Sequence, residues 1–499
     1  MANSEKTLPL WDPQLIQTYN IAGPRYTSYP TAPQLSSSFT QQQLHGAMQQ
    51  SNDSQSPLSL YFHIPFCDTV CYYCACNKII TANKQHAAPY LERLYKEMAM
   101  HSALINSQHA DSRKGKKPTN RTSKKIVEQL HWGGGTPTFI SDTQKRQLMA
   151  EIRNHFQLLD DDSGDYSIEV HPGRMDVKTI SVLRELGFNR LSMGVQDFNP
   201  AVQQAVNRLN SIEQVSELIS AARREQFHSI SMDIIYGLPL QTVDSVKATV
   251  QQVIALSPDR LSLFNYAHMP HLFKTQRLKI EQSSLPTPEE KLQMLQYAIV
   301  TLCKAGYIYI GMDHFAKPGD SLVIAQQQGL LQRNFQGYST HSNCDLLAFG
   351  VSAISSVGNS LVQNHKAIDN YNRAIDQGQL PLSRGLTLSS DDLLRKQVIM
   401  QLICHFRLDI SAIEKQHGIE FSHYFATELV QLQEMVADGL IRLDPREIQV
   451  LEPGRLLIRA ICMVFDAYLD REISPQAKVK TQVKENIKTS AKIRYSQVI

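Results

Sequence analysis

Leu58-Ser-Leu-Tyr-Phe-His-Ile64, followed at once by a loop carrying Cys67, Cys71 and Cys74, decides how this chain is read. The apolar, β-rich run predicts a strand, and C-x₃-C-x₂-C spacing puts three thiols on the tight loop at its end. Thiolates are the natural ligands of iron–sulfur clusters, and a tight loop brings several onto one cluster. A four-iron cluster held by three cysteines keeps one iron open, able to bind a substrate or cofactor and pass it an electron. A structural zinc site instead wants four ligands in a closed tetrahedron. Cys76 could supply the fourth, but its one-residue gap from Cys74 makes joint ligation awkward. A disulfide is less plausible still, with four cysteines inside ten residues, Tyr72 and Tyr73 between them, and no secretory signal.

From about residue 57 outward, short β-rich runs alternate with amphipathic segments of helical length. The β-rich runs are Leu58–Ile64, Lys125–Trp132, Tyr166–Val170, Arg190–Val195, Ser229–Tyr236, Arg260–Tyr266 and Tyr307–Met312. Helical patterns at 89–102, 143–156, 177–186, 212–224, 242–256 and 289–305 lie between or after them. Such alternation predicts an α/β domain with a parallel sheet covered on both faces. Polar residues and glycines gather just after the strands: Gly133-Gly-Gly-Thr136, Glu169, Gln196, Asp233, Ala267 and Asp313. In an α/β barrel that rim carries the active site, and the cysteine loop shares it. The glycines allow very close backbone approach; they lack the spacing of a P-loop or a dinucleotide fingerprint.

Length and composition agree with an ordinary soluble globular protein. The chain has 499 residues, 42% hydrophobic, 19% charged, with a net charge of +3. That charge makes no case for nucleic acid, no apolar run is long enough to span a membrane, and no signal peptide opens the chain. Dispersed Cys303, Cys344, Cys404 and Cys462 fit a reducing cytoplasm. No H-x₃-H near a carboxylate and no G-x-S-x-G elbow is present, so hydrolytic classes drop out. The organisation expected is an N-terminal arm over 1–55 and an α/β barrel domain over 56–365 with a basic insertion at 113–125. A mostly helical, substrate-covering domain over 366–475 with winged-helix character and a flexible tail over 476–499 complete it.

The cysteine loop, with an aromatic before its last cysteine, is the radical S-adenosylmethionine (SAM) signature. Tyr61-Phe-His-Ile-Pro-Phe-Cys67 through Cys76-Asn-Lys78 resembles the oxygen-independent coproporphyrinogen III oxidases of that superfamily. The resemblance runs from about residue 18 to about residue 470. It includes Gly23-Pro-Arg-Tyr-Thr-Ser-Tyr-Pro30, His131-Trp-Gly-Gly-Gly-Thr-Pro-Thr138, Leu191-Ser-Met-Gly-Val-Gln-Asp-Phe198 and Arg333-Asn-Phe-Gln-Gly-Tyr338. It implies a partial, open TIM-like β/α barrel, a [4Fe-4S] cluster on Cys67, Cys71 and Cys74, and SAM contacts at Tyr61, Gly134, Glu169 and Ile354. For a second SAM it implies Tyr73, Gly135, Thr136, Gln196, Arg208, Asp233 and Ala267. Cys76 matches a cysteine that is not a ligand.

The activity implied is anaerobic oxidative decarboxylation of two propionates of coproporphyrinogen III to vinyl groups. The reagent is a cofactor-derived 5′-deoxyadenosyl radical, and no protein side chain is itself catalytic. A low-potential flavodoxin or ferredoxin is the expected electron donor, and a cytoplasmic monomer the expected state. The anionic substrate should meet cations near the barrel mouth, for which Arg25, Arg174, Lys274 and Arg277 are candidates. The chain departs from the family pattern at Glu169-Val-His-Pro-Gly-Arg174, where His171 replaces an aspartate and the arginine is displaced by one position. That departure counts against a substrate-carboxylate role for this loop, and not against the cluster. The competing class is a haem-binding chaperone resembling these enzymes; a second rival is another radical enzyme, such as a methyltransferase.

Overall fold

A computed structural model describes residues 9–106 and 124–469. Residues 1–8 of the arm, most of the basic insertion and the tail expected at 476–499 lie outside the described residues.

Six strands pair in chain order, all parallel: β1 (Leu58–Ile64), β2 (Ile126–Gly134), β3 (Asp165–Val170), β4 (Arg190–Gln196), β5 (Ser229–Tyr236) and β6 (Arg260–Asn265). Connecting helices include α1 (Ala87–Ile105), α2 (Asp142–His155), α3 (Thr179–Glu185), α4 (Ile212–Arg224) and α5 (Val243–Leu256); α6 (Pro288–Lys304) follows β6. Their start points are written locally. Ser141 with Gln144, Ser211 with Gln214, Thr242 with Ser245 and Thr287 with Glu290 form reciprocal caps on α2, α4, α5 and α6, satisfying amides a helix start leaves unpaired. Leu60, Phe62, Leu130, Trp132, Ile168, Met193 and Met232 are buried in one continuous core. Their alternate neighbours Ser167, Ser192, Ser231 and Ser262 turn into a polar cavity of about 240 Å³ within the barrel.

The sheet does not close. On one side comes a hairpin of β7 (Ile308–Gly311) and β8 (His314–Ala316), with β8 antiparallel to β6 and β7 outermost. The run Tyr307–Met312 is therefore not the next parallel strand of the series. Gly311 and Met312, at φ +140° and +52°, reverse the chain, and β8 takes the place beside β6. On the other side β9 (Asp345–Phe349) lies parallel to β1, followed by antiparallel β10 (Ile354–Val357), β11 (Ser360–Asn364) and β12 (Leu382–Thr387). Periodicity did not signal this second edge. Residue 366 falls inside it: α7 (Ile368–Asp376) packs on α1 and β12 pairs with β11 before the C-terminal unit begins.

That unit contains α8 (Ser390–His405) and α9 (Ile410–His417), with a small antiparallel sheet of β13 (Arg407–Asp409), β14 (Ile441–Leu443) and β15 (Glu447–Val450). The sequence pattern predicts continuous helices over 421–438 and 455–469, and both are broken. Residues 421–438 split into Phe421–Tyr424 and Ala426–Ala437. There Phe425, fully buried, packs its ring 4.7 Å from Phe421 and 5.4 Å from Phe465. Residues 455–469 hold the end of one short helix, Glu452–Leu456, and all of another, Ile458–Met463. The arm crosses both units: Tyr26 donates to Asp466 at 3.0 Å, and Arg459 donates to the carbonyls of Pro24 (3.0 Å) and Gly23.

Candidate active site

The cysteine loop begins at the carboxyl end of β1 and is anchored at both ends. Phe66–Cys67 pairs with Ile79–Ile80, while the Tyr72 amide donates to the Val206 carbonyl at 2.9 Å and Asn207 Nδ2 to the Val70 carbonyl at 2.8 Å. The glycine run passes directly under it. The Gly135 amide donates to the Ile64 carbonyl at 2.8 Å and that of Thr136 to the Phe66 carbonyl at 2.9 Å. A Cβ on Gly135 would lie 2.7 Å from the Pro65 backbone, and one on Gly134, at φ +109°, would meet the His63 ring at 2.6 Å. These two glycines are required by close approach.

The donor set fits an iron–sulfur cluster: three thiols stand on one short loop after β1, and thiolates are the ligands such clusters take. Each has a polar neighbour. Thr136 Oγ1 donates to Cys67 Sγ at 3.5 Å, Arg208 Nη1 to Cys71 Sγ at 3.7 Å, and Lys78 Nζ to the Cys74 carbonyl at 2.8 Å. The Cys76 thiol donates to Cys74, which, with Lys78 beside it, is drawn down to about 6 against burial, while Cys76 is held protonated.

Tyr61, Glu169 and Ile354 line one cavity of about 290 Å³ together with His63, His131, Phe335, Gln336 and Ser352. Gly134 joins the group through its amide, which donates to Glu169 Oε2 at 3.2 Å. His131 Nε2 lies 3.1 Å from Glu169 Oε1. Burial works against the Glu169 charge, but His131 and the Gly134 amide outweigh it and hold the carboxyl below its ordinary range. Tyr61 Oη is 3.0 Å from His63 Nδ1 and its ring stacks on His131 at 5.8 Å.

The remaining predicted residues are more spread. Arg208 donates from Nε to the Gly194 carbonyl at 3.0 Å, and a Cβ on Gly194 would lie 2.7 Å from both Arg208 Nη2 and Gln196 Nε2. Gln196 adopts φ +74°, and its buried Oε1 has no partner among the described residues. Tyr73 and Ala267 are linked through Gln276, whose Nε2 donates to both their carbonyls at 3.0 and 3.3 Å. Asp233 faces the polar barrel cavity with His131 and Glu169. Burial raises it to about 7 despite a Ser262 hydrogen bond, with Glu169 adding to the rise.

Sequence reading assigned no site role to His63, His131, Gln276 or the strand-turn residues Phe335 and Gln336. Period-two alternation along β2 was the available signal for His131, since Leu130 and Trp132 are buried and His131 between them lines the cavity. Nothing local marks Gln276. Of the cations proposed for substrate, Arg174, Lys274 and Arg277 are exposed, whereas Arg25 is paired with Asp313 and lies over the Phe264 ring at 5.9 Å. Arg333 Nε donates to the Arg25 carbonyl at 3.3 Å. Burial, with Arg333 and Arg459 nearby, pushes Arg25 down to about 9. Arg333 and Arg459 are buried and Arg25 half-buried, so three guanidinium groups gather near Asp313.

A β/α barrel with three cysteines after its first strand and a glycine run beneath them defines a radical SAM protein. Residues 61–253 match the model of the Radical SAM superfamily, and residues 388–457 that of the HemN C-terminal domain. The oxygen-independent coproporphyrinogen III oxidase of Pseudomonas aeruginosa is 53% identical over 92% of this chain and 96% of its own; that of Escherichia coli is 47% identical over 93% and 97%. The solved coproporphyrinogen III oxidase (HemN) from Escherichia coli, described as a radical SAM enzyme, superposes with a TM-score of 0.85 at 45% identity, covering 93% of this chain and all of that one. The chain belongs to the family of oxygen-independent coproporphyrinogen III oxidases.

Proposed function

We propose that this chain converts coproporphyrinogen III to protoporphyrinogen IX without oxygen, by oxidative decarboxylation of two propionates to vinyl groups. The observation that carries this reading is the glycine run, which binds the start of the three-cysteine loop through the Gly135 and Thr136 amides and reaches, through the Gly134 amide on Glu169, the 290 Å³ cavity lined by Tyr61, Glu169 and Ile354. Cys67, Cys71 and Cys74 would hold a [4Fe-4S] cluster. Tyr61, Gly134, Glu169 and Ile354 would hold the SAM bound there. When bound, cluster and SAM supply one-electron chemistry that removes a hydrogen from the propionate β-carbon.

The chain's own residues bind, orient and exclude water. Glu169, kept ionised by His131 and the Gly134 amide, offers a carboxylate to hydroxyls or an ammonium group. Arg208, fixed on the Gly194 carbonyl beside an unpartnered Gln196 oxygen, leaves polar valence for a second SAM, for which Tyr73, Gly135, Thr136, Asp233 and Ala267 complete the set. Arg333 and Arg459, buried, and Arg25, half-buried, form a cationic seat suited to propionates. A low-potential flavodoxin or ferredoxin is the fitting electron donor, and the chain is proposed to act as a cytoplasmic monomer. No helix among the described residues is long and apolar enough to cross a membrane.

The test is anaerobic reconstitution followed by incubation with coproporphyrinogen III, SAM and a reductant. Protoporphyrinogen and 5′-deoxyadenosine are the expected products. Tight haem binding without turnover would favour a chaperone; a methylated product would favour a methyltransferase.

A further inference from the structure

At the opposite end of the barrel from the cysteine loop, three side chains converge that the proposed chemistry does not use. Glu128 stands near the start of β2, and His341 and Cys344 belong to the loop that leads into β9. Among the described residues they form the group of three metal-ligating types whose donor atoms all fall within 4.8 Å. His341 Nδ1 is 3.0 Å from Glu128 Oε2, and Cys344 Sγ is 3.5 Å from the same oxygen. These separations are close to the edges of a tetrahedron around an ion bound at 2.0–2.3 Å, which are roughly 3.3–3.8 Å.

The other face of the imidazole is also occupied. His341 Nε2 lies 3.4 Å from Asp165 Oδ2, and Thr340 Oγ1 and Arg190 fix that carboxylate at 2.9 and 2.5 Å. An imidazole flanked by carboxylates at both nitrogens needs two positive partners: two protons, or one proton and one metal ion. Metal-bound histidines characteristically donate the remaining N–H to a carboxylate, the position Asp165 fills. All three candidate ligands are partly accessible, so an ion has a path in.

We infer that Glu128, His341 and Cys344, with a water molecule as the fourth ligand, form a second metal site, separate from the cluster, that takes a divalent zinc ion. One thiolate, one imidazole and one carboxylate suit zinc in hardness, and with the thiol deprotonated the charges sum to zero. The ion displaces the proton on His341 Nδ1 and the thiol proton of Cys344, and both leave to solvent; nothing is oxidised or reduced. From Glu128 to the rim at Gly134 is six residues of strand, on the order of 20 Å, so the zinc acts as a clamp between β2 and the loop before β9 and not as a reagent.

Holoprotein with its cluster, dialysed anaerobically against micromolar zinc sulfate and then against buffer, should retain about one zinc per chain by elemental analysis. Zinc-edge X-ray absorption should show one sulfur and otherwise nitrogen or oxygen neighbours. Cys344→Ser and His341→Gln should each lose the zinc at least tenfold while iron content stays unchanged, and zinc should raise the thermal midpoint of the unsubstituted protein alone. No retained zinc, zinc retained equally by both variants, or an environment with several sulfurs overturns the assignment; the last would place the ion at the cysteine loop.

Discussion

At the residue scale the candidate site turns on who touches which sulfur. Cys71→Ser should abolish iron loading and turnover, whereas Cys76→Ser should keep iron near normal, because Cys76 only donates to Cys74; elemental analysis of reconstituted protein decides, and equal losses would reverse the ligand assignment. Gly135→Ala forces a methyl against the Pro65 backbone at 2.7 Å, so the cysteine loop must shift and iron loading should fall. Glu169→Gln removes the charge that His131 supports. The expected result is roughly a tenfold rise in KM for SAM, about 1.4 kcal/mol, the scale of one charged hydrogen bond, with iron content unaltered.

Among the elements, α1 holds the sheet edge through one carboxyl. Glu97 is fully buried and accepts from the Gly350 amide (2.8 Å), Asn364 Nδ2 (2.7 Å) and Tyr371 Oη (2.6 Å), tying α1 to the end of β9, to β11 and to α7. Burial raises its pKa to about 7 even though all three donors favour the ionised form. His101 beside it, held near 3 by burial, remains neutral and offers no compensating charge. A folded pKa above the unfolded value means that the stabilising contribution is complete below about 4.5 and disappears as pH climbs to about 7. Urea unfolding should therefore weaken on the order of 2 kcal/mol more between pH 5 and pH 8 than in Glu97→Gln, which has no proton to lose there. Parallel pH profiles would refute it.

Viewed as a whole molecule, the barrel is open and the arm supplies part of what closes it. Tyr26, Arg459 and Arg333 fasten residues 23–26 between the C-terminal unit and the rim, which sets Arg25 beside Asp313. Arg459→Ala leaves two buried carbonyls unpaired and removes one cation from the seat. A loss of about 2–4 kcal/mol is expected, together with a raised KM for coproporphyrinogen and an unchanged KM for SAM. Calorimetry and steady-state kinetics separate those effects.

Much of this was legible along the chain because it is local. Thiol spacing, the glycine run after β2 and the alternation of strand and helix patterns all act over short stretches of chain, so spacing and period reveal them. The helix breaks at Phe425 and Leu457, the reversal at Gly311–Met312 and the second sheet edge over 345–387 were not, because packing between distant segments overrides local periodicity. The same holds in the site: His131 acquires a role only when β2 and β3 set it against Glu169, and Gln276 only when its helix reaches Tyr73. The sequence alone determined the chemistry available, three thiols on one loop above a glycine run, since covalent spacing already limits where those groups can go. Tertiary structure decided which groups they work with and on which side the barrel stays open, because those contacts join residues tens to hundreds of positions apart.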